Sequence, residues 1–403
     1  MLKLQKLYYR SYQSVLYLAM HFLPIKEPIV IRSNQPMDQL ATLIKQDNRQ
    51  KIMIITQSIL VEQGLLNTLI YALHQHQIEY VIYQDALPNP TISLIENARV
   101  IYLENRCDGL IALGGGSAID LAKGVAARIA RPNRSIQKMK GILKVGKKIP
   151  PLYAIPTTSG TGSEATLACV VMNATTKDKF SINDPVLIPK VAVLDPTLTF
   201  SLLKDMTSTS GMDALTHAIE AYLGRSNTRR TKQYAITAIK TIFENILIAY
   251  QEPNNLAARK QMQIAAYQAG VAFTRAYVGN VHAVAHTLSA FYHVPHGLAN
   301  AVILPHVLEY YGKRIDKKLA FLADQCHLTL PSYPNRQKAQ AFIEAIYEMN
   351  RLMNIPTSFD QLIKNEDIPH MIKRAKAEAN PLYPVPVIMD DKAFRRIYSL
   401  LQD

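Results

Sequence analysis

The sequence predicts an α/β domain followed by an all-helical domain. From Lys51 onward, short apolar runs such as KIMIIT, IEYVIY and GLIAL alternate with helical patterns, as parallel strands and helices do in βαβ units. After Asp195-Pro196, glycine becomes sparse and long amphipathic segments such as TKQYAITAIKTIFENILIAY predict helices. We therefore expect an α/β domain over residues 29–198 and a helical domain over residues 199–403.

The elements of the α/β domain follow one another along the chain. SILVEQGLLNTLIYALHQHQ predicts one helix after the first strand, and TISLIENARVIYLENR predicts a second helix before GLIAL. PLYAI, ACVVMN and VAVLD predict further strands, and KDKFSI lies between the last two. NNLAARKQMQIAAYQAGVAF predicts a long helix in the second domain.

Composition limits the class of protein. The 403 residues are 48% hydrophobic and 19% charged, which is typical of a large globular core, and no apolar run is long enough to span a bilayer. The three cysteines form no spaced pattern, which predicts reduced thiols and a cytoplasmic protein. The net charge of +14 permits anionic partners, but no nucleic-acid motif accompanies it, so we expect no nucleic-acid partner.

Residues 1–28 form an N-terminal extension to the α/β pattern. It combines Lys3, Lys6 and Arg10 with the apolar run VLYLAMHFL, but no small-x-small cleavage site follows, which argues against a signal peptide. Two hypotheses remain. The extension packs on its own domain or on a dimer partner, which we favour, or it is a basic amphipathic helix that lies on a membrane surface.

Two loops have the composition of a nucleotide-binding site. GGGS, Gly114 to Ser117, leads from a predicted strand into a predicted helix, where glycines permit close approach to a pyrophosphate and free N–H groups attract anions. PTTSGTGSEAT follows another strand and offers hydroxyl and backbone donors. Simpler explanations are a tight turn and a hydrophilic loop, with Asp120 as a capping carboxylate and Lys179 as a solvated charge.

Two later segments have the spacing of a metal site. GMDALTHAIEAY places Asp213 and His217 on one helix face, and HAVAHTLSAFYHVPHG places His282 and His286 on another, with His296 after Pro295. One carboxylate and three imidazoles can surround a divalent first-row metal and leave a coordination position open. Taken singly, each histidine is better explained as a satisfied core or surface residue than as a ligand.

The four segments GGGSAIDLAKGVA, PTTSGTGSEAT, GMDALTHAIEAY and HAVAHTLSAFYHVPHGLANAVILPH, in this order, closely resemble the iron-containing (group III) alcohol dehydrogenases. The resemblance extends from about Ile52 to the C-terminus. It implies a Rossmann-like N-terminal domain and an all-α C-terminal domain, the architecture of dehydroquinate synthase, with the active site in the cleft between them. It also implies reversible hydride transfer between a primary or small alcohol or aldehyde and NAD(P), and a homo-oligomer, since dimers are common in the family.

The resemblance assigns roles to residues of this chain. It implies Asp213, His217, His282 and His296 as ligands of Fe²⁺, which Zn²⁺ replaces in some members. It implies His286 as the non-ligand histidine, either in proton transfer and substrate orientation or in packing, and His293 matches no family ligand. The implied cofactor contacts are Asn89, Gly115, Gly116, Ser117, Asp120, Thr157, Thr158, Thr161, Thr166, Lys179 and Leu198.

One position departs from the family pattern. Many NAD-dependent members carry an aspartate after the first strand, where this chain has Gln57. An acidic residue there binds the ribose 2′-hydroxyl and repels a 2′-phosphate. The basic run from Arg131 to Lys148 attracts an anionic dinucleotide of either form, and Arg49 precedes the strand at its far end. We therefore expect NAD as the working cofactor, with weaker exclusion of NADP.

Two alternative functions remain open at the sequence level. One is a zinc-dependent member of the same fold that acts on another polyol or on a hydroxy acid, and the other is a non-catalytic basic binding protein. The complete set of four ligands argues against the second alternative and against the metal-free maleylacetate reductases.

Overall fold

A computed structural model describes residues 3–23, 25–175 and 178–402. The chain forms two compact units, an α/β unit of Pro24–Ser201 and a helical unit that combines Met1–Leu23 with Leu202–Asp403. The sequence predicted a boundary at residue 198 and a separate extension over residues 1–28. The N-terminal segment instead belongs to the helical unit, although the α/β unit follows it directly in the sequence.

A six-stranded sheet forms the centre of the α/β unit, and all its neighbouring strands are parallel. The spatial order is β1-β9-β6-β4-β2-β3. The strands are β1 Ile29–Ile31, β2 Lys51–Ile55, β3 Glu79–Tyr83, β4 Gly109–Gly114, β6 Leu152–Pro156 and β9 Val191–Val193, and β5 Gly141–Ile142, β7 Ala168–Asn173 and β8 Asp178–Asn183 form a second sheet of order β5-β8-β7. The polar sequence of β8 had not indicated a strand.

The side chains of the large sheet enter two separate cores. Met53 and Ile55 of β2 lie in one core with alternate residues of β4, whereas Ile52 and Ile54 lie in the other. Strand residues alternate between faces, so a strand that is apolar on every residue is covered on both sides. Helices on both faces of the sheet therefore explain why the runs KIMII and GLIAL are apolar at every position.

The helices of the α/β unit are α2 Pro36–Gln46, α3 Ser58–Glu62, α4 Asn67–Gln75, α5 Ile92–Glu104 and α6 Gly116–Ala130. The prediction of one helix over SILVEQGLLNTLIYALHQHQ was wrong, because the chain divides it into α3 and α4. Gly64 lies between them with φ 71°, a left-handed conformation that ends α3.

The helical unit buries its own apolar core. Its helices are α1 Lys3–Phe22, α7 Lys204–Leu223, α8 Arg229–Gln251, α9 Leu256–Ala276, α10 Asn280–Tyr292, α11 His296–Tyr311, α12 Asp316–Gln325, α13 Asn335–Leu352, α14 Ile368–Ala379 and α15 Asp391–Leu400. A side chain at Gly211 of α7 would place Cβ 2.7 Å from Ile246 Cδ1 of α8, so these two helices pack at close range. Among the described residues, no helix is long and apolar enough to cross a membrane.

Helix α1 is anchored to the rest of the helical unit by polar contacts. The guanidinium of Arg10 donates to the carbonyl oxygens of Val385 and Pro386 at 2.7 and 3.0 Å. The buried amide of Gln13 donates to the carbonyl oxygen of Tyr383 at 2.8 Å. These bonds satisfy backbone oxygens that lose contact with water when α1 packs on the helical unit. They therefore hold α1 in one defined position.

A buried lysine joins α6 to the connection between β6 and β7. The ammonium of Lys123 donates to the Thr166 carbonyl at 2.8 Å, the Thr166 hydroxyl at 3.0 Å and the Ala168 carbonyl at 2.8 Å. Burial lowers the pKa of Lys123, and the nearby carboxylate of Asp120 opposes this shift. The ammonium has three acceptors, which is the number it can satisfy.

We predict that Lys123→Met lowers the free energy of unfolding by about 3 kcal/mol, because three buried oxygens lose their donor. Urea unfolding of the purified protein measures this change. Lys144→Met makes the same chemical substitution at an exposed position and serves as the control. Equal stability of the two variants would contradict the structural role of Lys123.

Candidate metal centre and cofactor loops

Four side chains from three helices meet inside the helical unit. Asp213 and His217 lie one turn apart on α7, His282 lies on α10, and His296 is the first residue of α11. One potential ligand atom from each lies within 4.8 Å of the others. From Asp213 Oδ1, the distances are 3.9 Å to His217 Nδ1, 3.8 Å to His282 Nε2 and 3.6 Å to His296 Nε2.

The surroundings of the four side chains fit a divalent cation. Ligand atoms around one tetrahedral ion with ~2.1 Å bonds lie roughly 3.4 Å apart, close to the distances from Asp213. Burial lowers the pKa of His217 and of His282 to about 4, so both rings are neutral near pH 7 and keep a lone pair. His217 Nδ1 is buried and has no hydrogen-bond partner, as expected for an atom that binds a metal.

Asn300 of α11 supplies the donor that faces this cluster. Its amide Nδ2 donates to Asp213 Oδ1 at 2.7 Å and lies 3.2 Å from Nε2 of both His282 and His296. The NH₂ group has two hydrogens for these three atoms, so it satisfies at most two of them. At least one atom of the cluster is therefore left without a donor from Asn300, as expected where a cation binds.

A glycine permits α11 to approach α7 closely enough to bring His296 to the cluster. A Cβ at Gly297 would lie 2.3 Å from the carbonyl oxygen of Thr209 and 3.4 Å from Asp213 Cβ. A side chain at position 297 would force the two helices apart, because the atom it meets belongs to the backbone. The absence of a side chain at position 297 is therefore required for His296 to reach the other three side chains of the cluster.

Glu220 orients His282, and it was not among the site residues predicted from the sequence. Its carboxylate accepts hydrogen bonds from the backbone N–H groups of Gly279 and Val281, both at 2.7 Å, and lies 2.6 Å from His282 Nδ1. A proton on Nδ1 leaves Nε2 as the ligand atom. Burial raises the pKa of Glu220 to about 7, and the two backbone donors oppose this shift. The spacing of Asp213, His217 and Glu220, which places them on one face of α7, was the available signal.

His286 lies beside the cluster and has a carboxylate partner of its own. Its ring stacks on that of His296 with centroids 5.0 Å apart, and its Nδ1 lies 2.5 Å from Glu378 Oε1. Tyr383 donates its hydroxyl to the same oxygen at 2.7 Å. Burial alone would raise the pKa of Glu378, but His286 and Tyr383 hold it below its usual value. His293 ends α10 with φ 56° and is not part of the cluster.

The two predicted cofactor loops pack against each other in the α/β unit. They follow the neighbouring strands β4 and β6, whose last residues Gly114 and Pro156 are paired. Gly115 precedes α6, and a Cβ there would lie 3.3 Å from Thr158 Cγ2, whereas a Cβ at Gly116 would lie 2.7 Å from Thr161 Cγ2. Ligands bind at the carboxyl ends of parallel strands, where this helix N-terminus lies.

The remaining predicted cofactor residues differ in their environment. Asp120 is buried, and its two carboxylate oxygens accept from the Ser163 hydroxyl at 3.3 Å and the Val170 N–H at 3.1 Å. Burial raises the pKa of Asp120 to about 6, although Lys123 opposes the shift. These internal bonds connect α6 with the second loop. Thr157, Thr166 and Leu198 are also buried, Ser117, Thr158, Thr161 and Lys179 are partly exposed, and Asn89 is exposed with φ 55°.

Gln57 has an acidic neighbour that sequence order did not reveal. It lies between β2 and α3 and forms an isolated antiparallel bridge with Asp85, which follows β3. Asp85 is exposed. A carboxylate is therefore present beside the position where the family pattern has its aspartate, although on the adjacent strand connection.

Comparison with known proteins identifies relatives over most of the chain. Residues 28–196 match the model of the iron-containing alcohol dehydrogenases, and residues 207–400 match that of the C-terminal part of the Fe-containing alcohol dehydrogenase family. Alcohol dehydrogenase 4 of Saccharomyces cerevisiae is 34% identical over 355 residues, 87% of this chain and 91% of the yeast protein. NAD-dependent methanol dehydrogenase of Bacillus methanolicus is 31% identical over 349 residues, 86% of this chain and 91% of that protein. The crystal structure of a 1,3-propanediol oxidoreductase has a TM-score of 0.90 at 30% identity and covers 94% of this chain and 99% of its own.

We predict that His282→Ala removes most of the bound metal and leaves the fold intact, because the apolar core of the helical unit does not depend on this ring. Metal analysis of the purified protein and circular dichroism measure the two effects. His293→Ala is the control, since His293 lies outside the cluster. A full metal content in His282→Ala would show that the ring is not a ligand.

We predict that Glu220→Gln weakens metal binding by about 10- to 100-fold. The glutamine NH₂ is a donor and would face another donor, either a backbone N–H or His282 Nδ1–H. Loss of the acceptor for Nδ1–H favours the tautomer with the proton on Nε2, the proposed ligand atom. Chelator competition measures the affinity. Glu164→Gln is a matched control, because Glu164 is a buried carboxylate of the α/β unit whose pKa burial also raises to about 7. An equal change in both variants would mean that the effect is not specific to His282.

Proposed function

The chain belongs to the iron-containing alcohol dehydrogenase family, and from this premise we propose that it catalyses reversible NAD(P)-dependent hydride transfer between an alcohol and the corresponding aldehyde. The observation that carries the proposal is the cluster of Asp213, His217, His282 and His296, of which the first three are buried and His296 is partly exposed. Desolvation of these polar side chains opposes folding, and the partly exposed side of the cluster leaves room for a substrate, as in a catalytic metal site.

The residues of the helical unit have distinct proposed tasks. Asp213, His217, His282 and His296 would hold the divalent ion, which when bound polarises the oxygen of an alcohol or aldehyde. His286 is the proposed proton carrier beside them. With Nδ1 hydrogen bonded to the carboxylate of Glu378, its Nε2 is the atom that accepts or returns the hydroxyl proton.

The α/β unit is proposed to bind the dinucleotide. The half-exposed backbone of Gly115 and Gly116 at the start of α6 offers N–H groups to the pyrophosphate, and Thr158 and Thr161 offer hydroxyls beside it. The cofactor supplies the hydride chemistry, so the task of these residues is alignment. Ser117, Asn89, Thr157, Lys179 and Leu198 remain proposed contacts, and Asp120 and Thr166 have a supporting role through their internal bonds.

The proposed substrates are small primary alcohols and their aldehydes. The similar proteins named above act on alcohol, methanol and 1,3-propanediol by their names. Fe²⁺ is the proposed metal, since three neutral nitrogens and one carboxylate suit it, and Zn²⁺ accepts the same donor set. We further propose a cytoplasmic homo-oligomer, and the free thiols of Cys107, Cys169 and Cys326 are consistent with a reducing compartment.

We predict that protein reconstituted anaerobically with Fe²⁺ oxidises ethanol and 1,3-propanediol with NAD, and that His296→Ala loses at least about 10³-fold in kcat/KM. Spectrophotometric assays of NADH formation measure both. Activity should fall in air and return with ferrous salt. Equal activity with Zn²⁺ alone that is stable to air would contradict iron as the native metal, and full activity of His296→Ala would contradict the proposed reaction site.

We predict that the pair Gln57 and Asp85 sets the choice between NAD and NADP. Gln57→Asp adds a charge that repels the 2′-phosphate and should cut kcat/KM for NADP by roughly tenfold, the effect of ~1.4 kcal/mol, while sparing NAD. Asp85→Asn should raise use of NADP by a similar factor if this carboxylate faces the ribose. The kcat/KM values for both cofactors measure this, and unchanged ratios in both variants would exclude these positions as the discriminator.

A further inference from the structure

One side of α1 is apolar and exposed along most of its length. The exposed fraction is 79% for Leu4, 65% for Leu7, 68% for Val15 and 55% for Leu18, and that of Tyr8 is 59%. Their spacing places them on a single helix face. The opposite side, with Gln13 and Met20, is buried in the helical unit. An exposed apolar row of this extent on an otherwise anchored helix indicates a binding surface.

The charges of α1 indicate which kind of partner binds this face. The helix has no acidic residue, and the exposed side chain of Lys3 lies beside the apolar row near its N-terminal end. Lys6 is also exposed but lies on the same side as Gln13. Tyr8 and Tyr12 within the row combine an apolar ring with a polar hydroxyl, a combination that prefers the boundary between water and lipid. An apolar stripe with basic flanks is the composition of helices that lie in the plane of a membrane.

Helix α14 extends the basic surface next to α1. A cavity of about 450 Å³ is lined by Tyr9 of α1 and by Lys373 and Lys376 of α14, so the two helices are neighbours. A second cavity of about 350 Å³ adjoins it and is lined by Lys373 and Arg374. Lys373 and Arg374 are exposed, and the one acidic residue of α14, Glu378, is bound to His286. Lys376 is paired with Asp391, so Lys373 and Arg374 are the basic side chains that α14 contributes beside α1.

We propose that α1 and α14 together form a docking surface for a bilayer with anionic head groups. Anionic lipid neutralises the basic side chains while the apolar row enters the boundary with the acyl chains, and these two attractions together hold a protein where either alone is marginal. A second copy of this chain would bring two positive surfaces together, in a protein of net charge +14. None of the exposed side chains of this surface is a proposed metal ligand or cofactor contact, so the proposal does not depend on the reaction.

Sedimentation of the full-length protein with vesicles tests the proposal. At low salt, we expect the protein to sediment with vesicles of phosphatidylcholine and phosphatidylglycerol in equal parts and to be largely released at high salt. Leu7→Ser/Val15→Ser/Leu18→Ser should weaken binding by about a hundredfold or more, because the apolar contact is lost. Lys373→Gln/Arg374→Gln should weaken binding to the anionic vesicles by about tenfold and leave binding to pure phosphatidylcholine unchanged.

Matched variants separate lipid binding from general stickiness. Leu103→Ser/Leu256→Ser/Leu330→Ser removes three exposed leucines elsewhere and should bind vesicles as the wild type does. All variants should keep the thermal midpoint and the NADH assay of the wild type, since the substituted side chains are exposed. No sedimentation at low salt, or equal binding by the α1 variant, overturns the proposal. Light scattering that shows a dimer in the wild type and a monomer in the α1 variant also overturns it, because a second copy then covers the face.

Discussion

The desolvation of one small group of polar side chains constrains how α7, α10 and α11 are arranged in the helical unit. Asp213, His217 and His282 are almost completely buried among apolar helices, where each polar atom needs a partner. The protein meets this need only in part: Glu220 and Asn300 satisfy some of the atoms, and His217 Nδ1 has no hydrogen-bond partner. A divalent ion would complete the set. The group is therefore both a cost to the apoprotein and the source of its proposed chemistry.

The helix arrangement around this group follows from the same constraint. Glu220 of α7 accepts from the first residues of α10 and from His282, so one carboxylate sets the position of that helix and the orientation of its ligand. Gly297 brings α11 against the backbone of α7. In the α/β unit, Lys123 and Asp120 hold the second loop against α6 by buried hydrogen bonds. In both units, buried polar contacts fix loops and helix ends that apolar packing alone would leave less well defined.

Sequence reasoning reached the fold class and the family because both depend on patterns of many residues. The apolar strand runs, the long amphipathic helices and four motifs in order predicted an α/β domain followed by a helical domain, and the family matches and similar structures confirm both. Predictions from the sequence were wrong where a single residue determines the local backbone structure. Gly64 divides one predicted helix into α3 and α4 through its left-handed φ, which helical periodicity does not reveal. The strand β8 was missed because its sequence DKFSIN is too polar to indicate a strand, although it pairs with β7, the strand that directly precedes it.

The supporting residues of the site could not be predicted for a related reason. Glu378 meets His286 across 92 positions, and Asp85 reaches Gln57 through a strand pairing, so neither contact leaves a local pattern. Glu220 did leave one, on the same face of α7 as Asp213 and His217, but a lone glutamate on a helix is usually a solvated charge. Its burial, and not its spacing, distinguishes it.

Anomalous X-ray diffraction from crystals of the protein purified anaerobically, measured on both sides of the iron absorption edge, tests the central claim most directly. The account predicts one strong iron-specific peak within about 2.3 Å of Asp213, His217, His282 and His296. A peak at other residues, or these four side chains joined by hydrogen bonds and water with no metal density between them, would contradict it.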